Sequence, residues 1–116
     1  MRHLKKGKTL DRKKAPREAL LRGLATSILI YEKVKTTEAK AKAVKPLVEK
    51  LITIAKKNNL GTRRKLLEVV YHKKAVNKAL EVLGPRYADR KGGYTKITRV
   101  GKRQGDGAKV VQIEFV

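Results

Sequence analysis

A chain of 116 residues points to one domain, and 41% hydrophobic residues is enough to bury a modest core. Lys and Arg number 31 against 10 Asp and Glu, a formal net charge of +21. A free globule with that excess repels itself, so the composition calls for a polyanionic partner. Cysteine is absent, which excludes disulfides and thiolate chemistry and is compatible with a reducing compartment.

Residues 1–14 form a basic arm in which Arg2, Lys5, Lys6, Lys8, Arg12, Lys13 and Lys14 face only Asp11. Leu4 and Leu10 cannot build a core between them, so the arm is expected to be extended and to order on a partner. No apolar stretch follows it that would make a signal peptide. The longest aliphatic run, Ile28-Leu29-Ile30, is far too short to cross a bilayer, so no membrane insertion is expected.

Pro16 opens a first helix, where Leu20, Leu21, Leu24, Ala25, Ile28 and Leu29 recur at helical spacing. Gly23 inside it implies a close approach, by a neighbouring backbone in preference to RNA. Lys33–Thr36 reads as a short strand with Val34 and Thr36 on one face. Thr36 or Thr37 can then cap a second helix, whose apolar stripe is Val44, Leu47, Val48, Leu51, Ile54 and Ala55. Pro46 should kink this helix, or the regular helix begins there. Asn58-Asn59 and Gly61 supply its stop. A third helix is expected over about 62–71, with Leu66, Leu67 and Val70 inward. A fourth covers about 73–83, with Val76, Ala79, Leu80 and Leu83 inward, and ends at Gly84-Pro85.

Residues 86–108 are rich in Arg, Lys and Gly. They contain a strand near 94–100 and glycines that turn the chain into a second strand at 109–116, where Val111, Ile113 and Phe115 share a face. The order αβαααββ is an α+β arrangement, with four helices on a small three-stranded mixed sheet. The division expected is an arm, 1–14, and a globular domain, 15–116, carrying the basic loop region 86–108.

Catalytic groups are scarce. Ser27 is the only serine and lies within a helix, while His3 and His72 have no Asp or Glu at ligand spacing. No nucleophile, base and orienter can be assembled, so no enzyme, metal, cofactor or small-molecule substrate is expected. Glu49 reads as an ordinary surface charge beside Lys45 and Lys50. Gly92-Gly93 and Gly101-x-x-x-Gly105-x-Gly107 fit neither a dinucleotide fingerprint nor a P-loop. At Gly92-Gly93 a simple turn and a close approach to phosphate are equally open. Tyr31, Tyr71 and Phe115 are assigned to the core. Tyr87 and Tyr94 sit in the basic region, where packing under the loop is favoured over stacking on a base. The basic clusters are the strongest signal, because the arm and the 86–104 stretch lack the apolar residues that would give them an independent structural role. An architectural DNA-binding protein, an RNA-acting enzyme and a cationic membrane-surface protein remain as alternatives. They would need a groove-reading element, a catalytic cluster and a lipid-facing apolar helix respectively.

Several stretches resemble a known family. MRHLKKGKTLDRKKAPREALLRGLATSIL at the start is similar to that of the bacterial large-ribosomal-subunit protein 17 family, with Arg2-His3-Leu4, Arg17 and Arg22 at matching places. Val34-Lys35-Thr36-Thr37-Glu38-Ala39-Lys40-Ala41-Lys42 resembles its strand-to-helix signature. Pro85-Arg86-Tyr87-Ala88-Asp89-Arg90-Lys91-Gly92-Gly93-Tyr94-Thr95-Lys96 resembles its most distinctive loop, and Gly101-x-Arg103-x-Gly105-Asp106 before a strand also agrees. Pro46 and Lys96, where arginine is common, depart from the pattern. The resemblance implies a cytoplasmic structural constituent of the large ribosomal subunit. It would bind 23S ribosomal RNA near the peptide exit tunnel, beside other large-subunit proteins. The RNA-binding residues it and the charge pattern select are Arg2, His3, Lys5, Lys6, Lys8, Arg12, Lys13, Lys14, Arg17, Arg22, Lys40, Lys42, Arg86, Tyr87, Arg90, Gly92, Gly93, Tyr94, Lys96, Lys102 and Arg103.

Overall fold

The computed structural model describes residues 13–116; Arg2, His3, Lys5, Lys6, Lys8 and Arg12 lie outside the described residues. Helix α1 (Lys14–Tyr31) begins two residues before Pro16, with Lys13 at its N-cap. Only its second half is buried, through Ala25, Thr26, Ile28 and Leu29. It ends at Glu32, which takes a left-handed conformation (φ 65°). Strand β1 (Lys33–Thr37) follows, and Thr37 leads directly into α2 (Glu38–Ala55).

Helix α2 is the spine of the core. Ala41, Val44, Val48, Leu51, Ile52 and Ala55 are buried along one stripe, as helical periodicity requires. The helix runs unbroken through Pro46, which sits exposed, so the regular helix does not begin there. Asn59 does more than stop α2. Its side chain accepts from Thr62 N–H at 2.9 Å and the Thr62 hydroxyl accepts from Asn59 N–H at 3.1 Å, a capping box that starts α3 (Leu60–Val69). The third helix therefore begins earlier than its apolar pattern implied.

Helix α4 (Lys73–Lys78) runs on through a π-helical stretch, Ala79–Leu83, into a last turn, Gly84–Arg86. Gly84 continues this helix instead of ending it. Its N–H donates to the Ala79 carbonyl five residues back. A Cβ on Gly84 would stand 2.6 Å from the Ala55 carbonyl oxygen, so glycine is what lets the fourth helix meet the end of α2. Gly23 is the reverse case. A Cβ there would meet nothing within 4 Å, so the expected close backbone approach is not made by the described chain.

Strands β2 (Thr95–Lys102) and β3 (Lys109–Phe115) form a hairpin, and the sheet order is β1-β3-β2. Both pairings are antiparallel, which corrects the mixed sheet expected from the sequence. Val111 and Ile113 of the central strand are buried against the helices, with Val34, Ile97 and Phe115 packed at the margin. The class is α+β, with four helices and one three-stranded sheet. Three expected core residues are on the surface: Tyr31 is 70% exposed, Tyr71 56% and Leu67 45%.

Candidate nucleic-acid interface

The basic stretch 86–108 is not one loop. Strand β2 occupies eight of its residues and sets about 25 Å between a loop at its start, 88–93, and a hairpin turn at its end. Each end is built differently.

The first loop is held from beneath by aromatic rings. Tyr87 and Tyr94 pack with centroids 5.4 Å apart, and Phe115 joins Tyr87 at 6.1 Å. Both tyrosine hydroxyls are engaged: Tyr87 donates to the Val116 carbonyl at 2.7 Å and Tyr94 to the Arg90 carbonyl at 3.2 Å. Their exposures are 4% and 1%, so neither ring has a face on which a base could stack. Both rings support the loop from beneath, the use favoured for them from the sequence. Lys56 adds a further clamp, with its ammonium 4.8 Å from the Tyr94 ring centroid and hydrogen-bonded to the Arg90 carbonyl.

Glu49 completes the anchorage. Its carboxylate accepts from Tyr94 N–H at 3.0 Å and from the Thr95 hydroxyl at 3.1 Å, which ties the start of β2 to α2. It is a structural acceptor and not the ordinary surface charge its sequence neighbours implied. Above this base, Arg90 and Lys91 are exposed, and Gly92 (φ 95°) and Gly93 (φ 63°) make the left-handed turn.

Lys102 and Arg103 are exposed where β2 ends and the hairpin turn begins. Arg103 donates from Nε to Asp106 Oδ1 at 3.2 Å and from a second nitrogen to Oδ2, a bidentate pair. That pair, with Ala108 N–H, holds the Asp106 carboxyl down at about 2. Other candidate cations also have partners: Lys42 meets Glu38 at 2.8 Å, Lys96 meets Glu114 at 3.7 Å, and Arg86 pairs with Glu32. Glu32 also receives Lys78 at 3.0 Å; the hydrogen bonds from Arg86 and then Lys78 lower its carboxyl to about 2. Arg86 therefore locks the end of α1 to the fourth helix. Lys13, Lys14, Arg17, Arg22, Lys40, Arg90 and Lys102 have no acidic partner among the described residues. Lys13, Lys14 and Arg17 stand together at the N-terminal end of α1, away from its buried half.

Several cations were not selected from the sequence. Lys33 and Lys35 are exposed on β1, paired with Glu114 and Gln112. Arg99 and Lys109 lie on the hairpin facing the start of α2, and both act on Glu38 electrostatically. The alternation that put Val111, Ile113 and Phe115 on one face reaches Lys109 as well, so this lysine was within reach of the pattern.

Among the described residues no group of His, Asp and Glu gathers that could hold a metal, and no described helix is long and apolar enough to cross a membrane. Fold and surface together define a small cationic protein, a core whose first helix, loops and hairpin present positive charge. The comparisons narrow this class. The sequence model of the family described as Ribosomal protein L17 matches residues 20–116. The chain is 47% identical to the large ribosomal subunit protein bL17 of Rickettsia bellii, over all of this chain and 82% of that one. It is 50% identical to bL17 of an Exiguobacterium species (92% of this chain, 96% of that one) and 44% identical to bL17 of Dehalococcoides mccartyi (100% and 99%). The chain belongs to the ribosomal protein L17 family, a family of ribosomal proteins and not of enzymes.

Proposed function

We propose that this protein is a structural constituent of the large ribosomal subunit that binds 23S ribosomal RNA and stabilises its fold near the peptide exit tunnel. It acts in the cytoplasm beside neighbouring large-subunit proteins, by phosphate neutralisation and shape. The observation that carries the reading is the pairing of family membership with a net charge of +21, much of it on surfaces that a small core rigidly supports. The basic arm 1–14, the N-terminal end of α1, the loop 88–93 and the hairpin turn are the contact regions. Lys13, Lys14, Arg17, Arg22, Lys40, Arg90 and Lys102 are the cations of the folded part most available to phosphate, and Gly92-Gly93 allows close backbone approach. Lys42, Arg86, Lys96 and Arg103 reach RNA while held by their carboxylates, which fixes their direction at some loss of net charge.

The test is mass spectrometry of sucrose-gradient fractions from source cells, at moderate and at high salt. Co-migration with the large subunit that survives high salt is the expected result, and cross-linking of the retained protein to 23S RNA lining the exit should follow. Absence from the large subunit, with enrichment on the nucleoid, would replace this reading with an architectural DNA-binding one.

A further inference from the structure

The far half of the β2–β3 hairpin and the start of α2 together line an open, shallow cleft. In the cleft's larger part, of about 470 Å³, Lys42 and Glu38 of α2 face Ala108 and Lys109 of the hairpin. A second hollow of about 190 Å³ continues along the hairpin, lined by Arg99, Gly101, Lys102, Lys109 and Val110. Lys109 borders both, so the two open hollows adjoin there and run as one shallow track.

The charges along the track are unbalanced in a particular way. Lys102 is paired directly opposite Lys109 in the β2–β3 ladder. Directly opposed residues share a face, and like charges there destabilise a strand pair. Arg99 lies opposite Val111 on the same inner face, a few residues nearer the core. The cleft's carboxylate, Glu38, is already taken by Lys42 at 2.8 Å. Three further cations thus line a groove without a carboxylate of their own. A chain of anions laid along it would relieve the opposition that the free hairpin bears.

We propose that this cleft grips a segment of RNA backbone, with Arg99, Lys102 and Lys109 on successive phosphates and Lys42 at the far wall. The proposal rests on the RNA-binding reading above and adds to it a specific site, with Arg99 and Lys109 as contacts. An elongated polyanion fits better than a single free anion, because the cations are spread along two joined hollows. A phosphate backbone fits better than an acidic peptide, because its charge repeats at every nucleotide, as three cations spread along the hairpin without a salt-bridge partner among the described residues require.

The experiment measures binding of the full chain to a fluorescent 23S RNA transcript over a salt series. The variants are Arg99→Gln, Lys109→Gln, Glu38→Gln and, as a charge control, Lys50→Gln on the exposed side of α2. Arg99→Gln and Lys109→Gln should each reduce the slope of log affinity against log salt by about one. Lys50→Gln should leave it unchanged. Glu38→Gln should tighten binding, since it frees Lys42. Lys109→Gln should hold or raise the thermal midpoint of the free protein, which separates lost contact from lost fold. If Arg99→Gln and Lys109→Gln bind with the wild-type slope while wild type binds the transcript, the cleft assignment is overturned and the general RNA reading stands. If wild type shows no salt-dependent binding to the transcript, both fall.

Discussion

Glu32 shows how one side chain can close a structure at its joints. It stands in a left-handed backbone at the end of α1, its N–H donates to the Ile28 carbonyl, and its carboxylate gathers Arg86 and Lys78. Lys78 also donates to the Ile30 carbonyl at 2.8 Å, so the exposed end of α1 is satisfied by the fourth helix. The carboxyl is lowered from its ordinary 4.5 to about 2, chiefly by the Arg86 hydrogen bond. A lowered carboxyl contributes stability above its unfolded value and loses it as pH falls through the folded one. Glu32→Gln should therefore lower stability at pH 7 by about 1 kcal/mol, the solvent at this part-exposed site screening the rest. The gap between variant and wild type should shrink from pH 4.5 toward pH 2, and thermal melts across that range would show it; a constant gap would mean the charge is not what Glu32 contributes. Two helical glycines give a second comparison, of opposite sign. Gly84→Ala pushes a methyl against the Ala55 carbonyl oxygen and should cost about 1–3 kcal/mol. Gly23→Ala meets open space and should stabilise the free protein by about 1 kcal/mol. Chemical denaturation of both variants decides it.

Elements are joined here by acceptors that a sequence pattern does not reveal. Glu49, on α2, is bound to the first residues of β2 by three donors: Tyr94 N–H, Thr95 N–H and the Thr95 hydroxyl. Glu49→Ala should leave those part-buried donors unmet and cost about 1–3 kcal/mol. Amide exchange should accelerate at Tyr94 and Thr95 first, since the anchorage of loop 88–93 begins there. Protection unchanged at these two amides would show that the aromatic cluster alone holds the loop. The legible parts of the fold were those whose pattern is set by a single element. The stripe of α2, the inward residues of the fourth helix and the alternation of β3 all follow from burying one face. Less legible was whatever depends on which elements meet. Tyr31 and Tyr71 are large and apolar enough for a core, but each lies at a helix end where none of the described residues covers it. The direction of β1 is set by three intervening helices and not by its own five residues, so the antiparallel sheet was missed. The candidate site divides the same way. Cation clusters were visible as composition, whereas the burial of Tyr87 and Tyr94 and the cleft around Lys109 exist only once β2 and β3 pair over α2.

At the scale of the whole molecule, the question is how +21 charges coexist with a small core. Ion pairs among the described residues neutralise Lys42, Lys78, Arg86, Lys96 and Arg103, each at a place where the pair also fixes an element or a turn. The remaining described cations are spread over all four helices, the loop 88–93, the outer sheet face and the hairpin, which limits their mutual repulsion at physiological salt. The sequence before Lys13 carries five more cations, Arg2, Lys5, Lys6, Lys8 and Arg12. Among the described residues every buried core residue lies at or after Ala25, and α1 starts from Lys14, so a deletion of residues 1–12 tests whether the arm serves charge and not packing. Such a deletion should leave far-UV helicity and the thermal midpoint close to wild type. Binding to 23S RNA should weaken sharply, with the salt slope falling by about one for each phosphate the arm had neutralised. Circular dichroism and the same salt series would report both on one sample. If the deletion unfolded the domain, the arm would be part of the structure that holds α1, and the division between a folded scaffold and a basic arm would be wrong. If folding and slope were both unchanged, the cations of residues 13–116 would carry the RNA contact by themselves, and the arm would have to be reassigned to a protein neighbour.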